Sequence, residues 1–371
     1  MLNRAIEWSR RQRPEIRALR DRAVRLRDRR PLIVVPSILG TQITVGDRVL
    51  WGSVRRLYFG PPVTAPSAVA SGLLDGFTVV PGLYRYDVFG GLLRFLERVG
   101  GYQRERDLFV LPYDWRQSVT DAAERLADLV ARVPGGRVDL IAISTGGLVV
   151  RHYLADAAAR AGRVIYVGTP QRGSFQAVST LHEGVQMVPL GRRFSPSELA
   201  ACKTCWDALP HPDDPLFIDE AGDPLEVSLY DPATWHRVKL GVPPAEIGAH
   251  LERAQALHRR LDAAVPHTDS VVIGARHLPT LSRMPIIRGR AVLPACTPKR
   301  GDPLAPRLFE PGDSSLAARS LEALPGLDPR RVRTVTPAEH RMLPADHDVH
   351  RWSLDALLGA HDVHDEPGWP R

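Results

Sequence analysis

"RVDLIAISTGGLVVRHYL", residues 137–154, decides how this chain is read. Residues 137–143 form an apolar, β-prone run without polar alternation, the pattern of a strand covered on both faces. From Gly146 onward the pattern is helical. Between them stands Ser144, with the small residues Ala142 and Gly146 two positions to either side. A nucleophile elbow has this build. A strained backbone lifts the serine hydroxyl clear, and small neighbours let strand and helix approach closely. The motif here is A-x-S-x-G, one methyl more than the glycine form. The competing reading is a serine in a strand-to-helix turn that caps the next helix. The strand before it and the helix after it favour the nucleophile.

Four further runs resemble 137–143: "PLIVVP" (31–36), "DLFVLP" (107–112), "RVIYVG" (163–168) and "DSVVIGA" (269–275). Helical stretches separate them. Residues 118–133 are amphipathic, with Ser118 or Thr120 as a cap and "PGG" (134–136) as a stop. Residues 146–162 form a second helix, expected to stop at Gly162. Such alternation predicts an α/β fold with a mostly parallel sheet. Residues 41–85 and 171–266 break the pattern and read as insertions above the sheet, the second as a cap. Residues 276–330 read as irregular, with turn signals such as "KRGDP" and "EPGDS". The expected organisation is an arm (1–30), a first part of the core (31–170), the cap (171–266) and a second part of the core (267–371).

The charge is confined to one end. Residues 1–30 hold eleven arginines against four acids, a net charge equal to the +7 of the whole chain. The remaining body is therefore neutral overall. Pro14 is expected to open a helix there, with Ile16, Leu19, Ala23 and Leu26 on one face. Three roles suit such a helix: packing on the body, lying on an anionic membrane or partner surface, or binding nucleic acid. The body has no basic stripe interleaved with aromatics, which disfavours nucleic acid. No apolar run is long enough for a membrane span, and the arginine-rich start does not suit a secretory signal. The three cysteines, Cys202, Cys205 and Cys296, are an odd number, which points to free thiols and a cytoplasmic location. "CKTC" lacks the second pair of ligands that a zinc site needs. No metal spacing, GxGxxG or P-loop is present.

A serine needs a base, and the base needs an orienting acid. In elbow-bearing α/β folds the chain order is Ser, acid, His. "AEHRMLPADHDVH" offers His340, His347 and His350. His340 follows the β-like run "RVRTVTP" and is favoured, because the others lie at a helix start. "FEPGDSSLAARS" presents Asp313 at a turn, with Glu310 and Asp302 as rivals. The oxyanion of a tetrahedral intermediate needs backbone donors. The amide after the nucleophile, Thr145, and Ile38 in the loop after the first strand are the candidates.

Taken together, these segments resemble the lecithin:cholesterol acyltransferase-like branch of the α/β-hydrolases, which includes lysosomal phospholipase A2 and bacterial relatives. The resemblance spans about residues 31–360. It rests on "IVVPSILGTQ" (33–42), "FVLPYDWRQS" (109–118), "LIAISTGGLVVRHYL" (140–154), "YVGTPQRGS" (166–174), "PGDSSL" (311–316) and "AEHRMLPAD" (338–346). The P-Y-D-W-R block is its most specific part. The chain departs at Ser37, where glycine is usual, and at Ile143, where histidine is common. The resemblance implies an α/β-hydrolase fold with an inserted cap. It also implies a cofactor-free acyl-ester hydrolase or acyltransferase carrying Ser144, Asp313 and His340. It places "PSELAACKTCWDALP" (196–210) in the cap, with structural cysteines. Leu39, Asp114, Trp115 and Arg116 are expected to line the substrate or support the site. Lipid or phospholipid esters are favoured as substrates. A soluble ester of a specialised metabolite, and a silent hydrolase that only binds a ligand or partner, are the alternatives.

Overall fold

In a computed structural model, which describes residues 2–26, 29–60, 63–80, 84–188, 190–241, 244–336 and 338–359, the apolar runs pair side by side. They form β1 (Leu32–Val35), β2 (Leu108–Val110), β3 (Val138–Ile143), β4 (Ala161–Val167) and β5 (Ser270–Gly274). An antiparallel pair, β6 (Leu278–Leu281) and β7 (Phe309–Gly312), follows, then β8 (Val332–Thr334). Six strands make one sheet in the order β8-β5-β4-β3-β1-β2. Every neighbouring pair in it is parallel.

The helices that bear on the site are α1 (Leu2–Arg25), α2 (Gly90–Arg98), α3 (Val119–Arg132), α4 (Gly146–Ala157), α5 (Ile247–Ala263) and α6 (His347–Leu357); Phe175–Glu183 and several shorter helices lie between them. Alternate residues of β1, β3, β4 and β5 enter separate cores. Leu140 and Ala142 of β3 join Leu126 and Val130 of α3 and Leu148 of α4. Ile141 and Ile143 join Leu92, Leu93 and Leu96 of α2 and Val349 and Leu354 of α6. A parallel strand sandwiched between two helix layers must be apolar on both sides, which is why these runs lack alternation. The elbow thus emerges at the C-terminal edge of a central strand, where parallel sheets bind their ligands.

Several expectations need correction. The 146–162 helix ends earlier: α4 stops at Ala157, a 3-10 turn covers Ala158–Arg160, and Gly162 lies inside β4. A Cβ at Gly162 would lie 2.2 Å from Asp139 Oδ1, so the glycine serves close strand packing, not helix termination. Pro14 does not open its helix, for α1 starts at Leu2 and carries Pro14 inside. Leucine, arginine, alanine and glutamate upstream are good helix formers and carry the helix through the proline. Leu26 lies past the end of α1 and is exposed, whereas Leu19 and Ala23 are buried. The C-terminal half of α1 docks on α6, with Arg22 Nη1 2.6 Å from Asp355 Oδ1 and Arg351 Nη1 2.7 Å from Glu15 Oε2. Arm residues 1 and 27–28, and residues 360–371 of the second core part, lie outside the described residues.

Residues 276–330 are not irregular throughout. They carry the antiparallel β6–β7 pair, and Met284–Ile287 pairs in parallel with the buried Phe217–Ile218. Prolines 279, 285 and 311 interrupt the β signal there. Thr41–Val45, Arg48–Trp51 and Val69–Leu73 form a three-stranded antiparallel sheet, and Gly76–Val80 pairs antiparallel with Tyr84–Asp87. Of residues 171–266, α5 packs on α4, where Arg151 donates to the carbonyls of Leu261 at 2.9 Å and Gln171 at 2.7 Å.

Candidate active site

Ser144 follows β3 directly and has φ +51°. Its amide donates to Val167 of the neighbouring strand at 2.8 Å, and its carbonyl accepts from Gly147 at 2.9 Å. A left-handed backbone costs a non-glycine residue about 1–2 kcal/mol, so strand, turn and helix must jointly hold it. Close approach explains the small neighbours. Ala142 is fully buried opposite Val35 and Tyr166. A Cβ at Gly146 would lie 2.5 Å from the carbonyl oxygens of Val35 and Pro36.

His340 opens a 3-10 turn, His340–Ala345, beyond β8. Its Nε2 lies 3.0 Å from Ser144 Oγ, and its Nδ1 lies 2.7 Å from Asp313 Oδ2. The carboxylate accepts the Nδ1 proton, which leaves the Nε2 lone pair toward the serine hydroxyl. Asp313 is fully buried at the end of β7. Its Oδ1 accepts from the amides of Leu316 at 2.7 Å and Ser315 at 3.1 Å. Its carbonyl accepts the His340 amide at 2.9 Å, so backbone and side chain hold the histidine together. Burial pushes the imidazole's pKa down, but the charge of Asp313 and its hydrogen bond outweigh that and raise it above the ordinary histidine value. The group is thereby suited to take a proton from a neighbour.

The rivals sit elsewhere. His350 is buried and bonds the Pro344 carbonyl at 2.8 Å; His347 stands at the start of α6. Glu310 pairs with Arg319 and Arg283. Asp302 accepts the Leu304 amide.

Ile38 and Leu39 lie in a turn closed by Gly40 N to Ser37 O at 2.9 Å, with Leu39 at φ +65°. The Leu39 carbonyl accepts the Trp51 indole at 2.8 Å. The Ile38 amide points at the elbow, but its acceptor is the Thr145 hydroxyl, at 2.6 Å. Sequence reasoning missed that contact. It joins side chain to backbone across 107 residues, and no local pattern encodes it.

The P-Y-D-W-R block braces two loops. The Tyr113 hydroxyl donates to the Pro36 carbonyl at 2.9 Å. The fully buried Trp115 donates to Thr41 at 3.1 Å. Arg116 pairs with Asp114 at 2.6 Å and donates to the carbonyls of Val63, Ala65 and Ala68. Glu198 accepts the Val63 amide at 2.8 Å, a second clamp that the sequence did not reveal. These hydrogen bonds reach the loops around the site rather than Ser144, His340 or Asp313. Cys202 and Cys205 are buried free thiols in the same neighbourhood, where the Lys203 amide donates to Arg116 at 2.8 Å.

Residues 75–195, which contain the elbow and the P-Y-D-W-R block, match the profile of the family described as lecithin:cholesterol acyltransferase. Over these residues the chain is similar to that family. Among solved structures it is similar to one described as the Tle4-Tli4 complex, at TM-score 0.64 and 14% identity, over 91% of this chain and 99% of that one. Another is Bacillus licheniformis lipase BlEst2 in its mature form, at TM-score 0.43 and 12% identity, over 90% of this chain and 93% of that one. No curated protein matches the chain. The parallel sheet, its two helix layers and the first of these likenesses make the fold that of the α/β-hydrolases.

Proposed function

We propose that the chain is a serine acyl hydrolase or acyltransferase that acts on carboxylic esters, with lipid or phospholipid esters as preferred substrates, through a Ser-His-Asp triad and an acyl-enzyme. The observation that carries the reading is the hydrogen-bonded chain Ser144–His340–Asp313 on a strained elbow. His340 Nε2 takes the Ser144 proton as Oγ bonds to the ester carbonyl carbon. Backbone amides of Thr145 and Ile38 face the charge that develops on the carbonyl oxygen. As the carbon–alkoxy bond breaks, the imidazolium returns its proton to the leaving alcohol. Water or a second alcohol then gives a proton to His340 and attacks the acyl-serine, and as the acyl–Oγ bond breaks the imidazolium returns that proton to Oγ. Asp313 holds the imidazole in the productive tautomer and offsets its charge. The family match supports a lipid substrate. Residues 171–266 act in this reading as the cap over the acyl chain.

The test is labelling by a fluorophosphonate together with ester turnover. The wild type is labelled at Ser144, and Ser144→Ala loses both labelling and turnover while keeping its fold. Normal esterase activity in Ser144→Ala refutes the assignment. Phospholipid vesicles and soluble esters, assayed side by side, separate a lipid enzyme from a soluble esterase.

A further inference from the structure

The Thr145 side chain is placed where an oxyanion would be served. Its Oγ1 accepts the Ile38 amide at 2.6 Å, so that donor is engaged by the chain itself. Beside it, the Tyr113 phenol donates to the Pro36 carbonyl at 2.9 Å. Burial pushes the Tyr113 phenol well up, so the phenol stays neutral. The Ile38–Thr145 and Tyr113–Pro36 hydrogen bonds tie the loop after β1 to the elbow and to the loop after β2.

We propose that the Thr145 hydroxyl is a latch on the oxyanion site, occupying the Ile38 amide at rest and yielding it only to developing negative charge. This rests on the reading of Ser144 as the nucleophile. A neutral ester carbonyl offers the amide no better acceptor than the hydroxyl it already has. An oxyanion does, because charge-assisted hydrogen bonds are roughly twice as strong as neutral ones. The exchange is thus uphill or level on substrate binding and downhill in the transition state. An interaction with that profile raises turnover without tightening the ground state. The Thr145 side chain acts through the Ile38 donor and is in this sense a positioning residue.

Thr145→Val keeps the shape and removes the acceptor. The Ile38 amide then binds the ground-state carbonyl too. The expected result with a soluble ester is a rise in kcat/KM of about three- to tenfold, the worth of one neutral hydrogen bond, expressed mainly as a lower KM. Thr145→Ser restores the hydroxyl and returns both parameters toward the wild type. Thermal melting of each variant reports the fold. If Thr145→Val does not fold, Thr145→Ala is read by the same criteria. Unchanged kcat/KM, a rise carried by kcat alone, or a fall overturns the latch. A fluorophosphonate that fails to label the wild type overturns the underlying reading of Ser144 instead, and the two failures are thereby distinct.

Discussion

Asp313→Asn isolates what the buried carboxylate contributes. In the native site Oδ1 accepts two backbone amides, from Ser315 and Leu316, and Oδ2 accepts the His340 Nδ1 proton. Asparagine has one acceptor oxygen. The two amides can only donate, so they claim that oxygen, and the side-chain NH2 is turned toward Nδ1. Nδ1 must then accept, and the ring proton moves to Nε2, where it faces Ser144 Oγ 3.0 Å away. A protonated Nε2 cannot take the serine proton. The expected loss is about 10⁴ in kcat, the cost of holding a catalytic histidine in the wrong tautomer. That equals about 5.5 kcal/mol of barrier. The fold survives, since every native hydrogen bond at this carboxylate is replaced by one of the same length class. The assay is kcat on a soluble ester at saturation, with fluorophosphonate labelling rate as a second readout. The pH profile adds a sign. Burial lowers the His340 pKa and Asp313 more than restores it, so wild-type kcat/KM rises with pH through a midpoint above the ordinary histidine value. Without the charge, the midpoint of any residual activity moves down. A folded variant that keeps kcat within about tenfold of the wild type, with the midpoint unmoved, refutes this account.

Ser144→Gly and Ser144→Ala both lose turnover, but glycine relieves the positive φ and melts higher, by about 1 kcal/mol in urea unfolding; equal stability would show that the elbow is unstrained. His258 and His350 are pushed by burial down to about 4. Above about pH 6.5 both are neutral whether folded or not, whereas between there and 4 the unfolded chain binds protons that the native one refuses. Stability therefore falls as the pH drops across that window, with a slope of up to about 1.4 kcal/mol per pH unit for each histidine, and His350→Gln flattens the urea-midpoint profile between pH 7 and 5. Arg116→Met strands the Asp114 carboxylate and three loop carbonyls, and is expected to cost about 3 kcal/mol in urea unfolding and to lower turnover by loosening residues 63–68. Turnover and stability unchanged in that variant would remove the clamp from the account.

The parallel sheet was legible because burial on both faces leaves no alternative to unbroken apolar runs. Residues 140–143 and 164–167 show this best, with every side chain inside. The elbow was legible because steric crowding restricts Ala142 and Gly146 whatever surrounds them. The end of α4 was not, since Gly162 reads as a helix stop while its role is to make room for Asp139. The β6–β7 pair that delivers Asp313 was hidden by prolines tolerated on short two-stranded ribbons. The Ile38–Thr145 contact was illegible for a different reason: tertiary geometry sets it, and a threonine after the nucleophile looks the same whether its hydroxyl is occupied or idle.

The hydroxyl and the imidazole that meet at the sheet edge are 196 residues apart in the chain. Synthesis at about 5–20 residues per second puts on the order of 10–40 s between the two leaving the peptidyl-transferase centre. During that interval a nascent chain can already assemble β1, β2, β3 and β4 around the serine, yet has no base to activate it. If the serine is the nucleophile, ribosome-bound chains are harmless to nearby ester bonds. Reactivity then arrives in one step, when β8 docks beside β5 and the last helix seals the far layer.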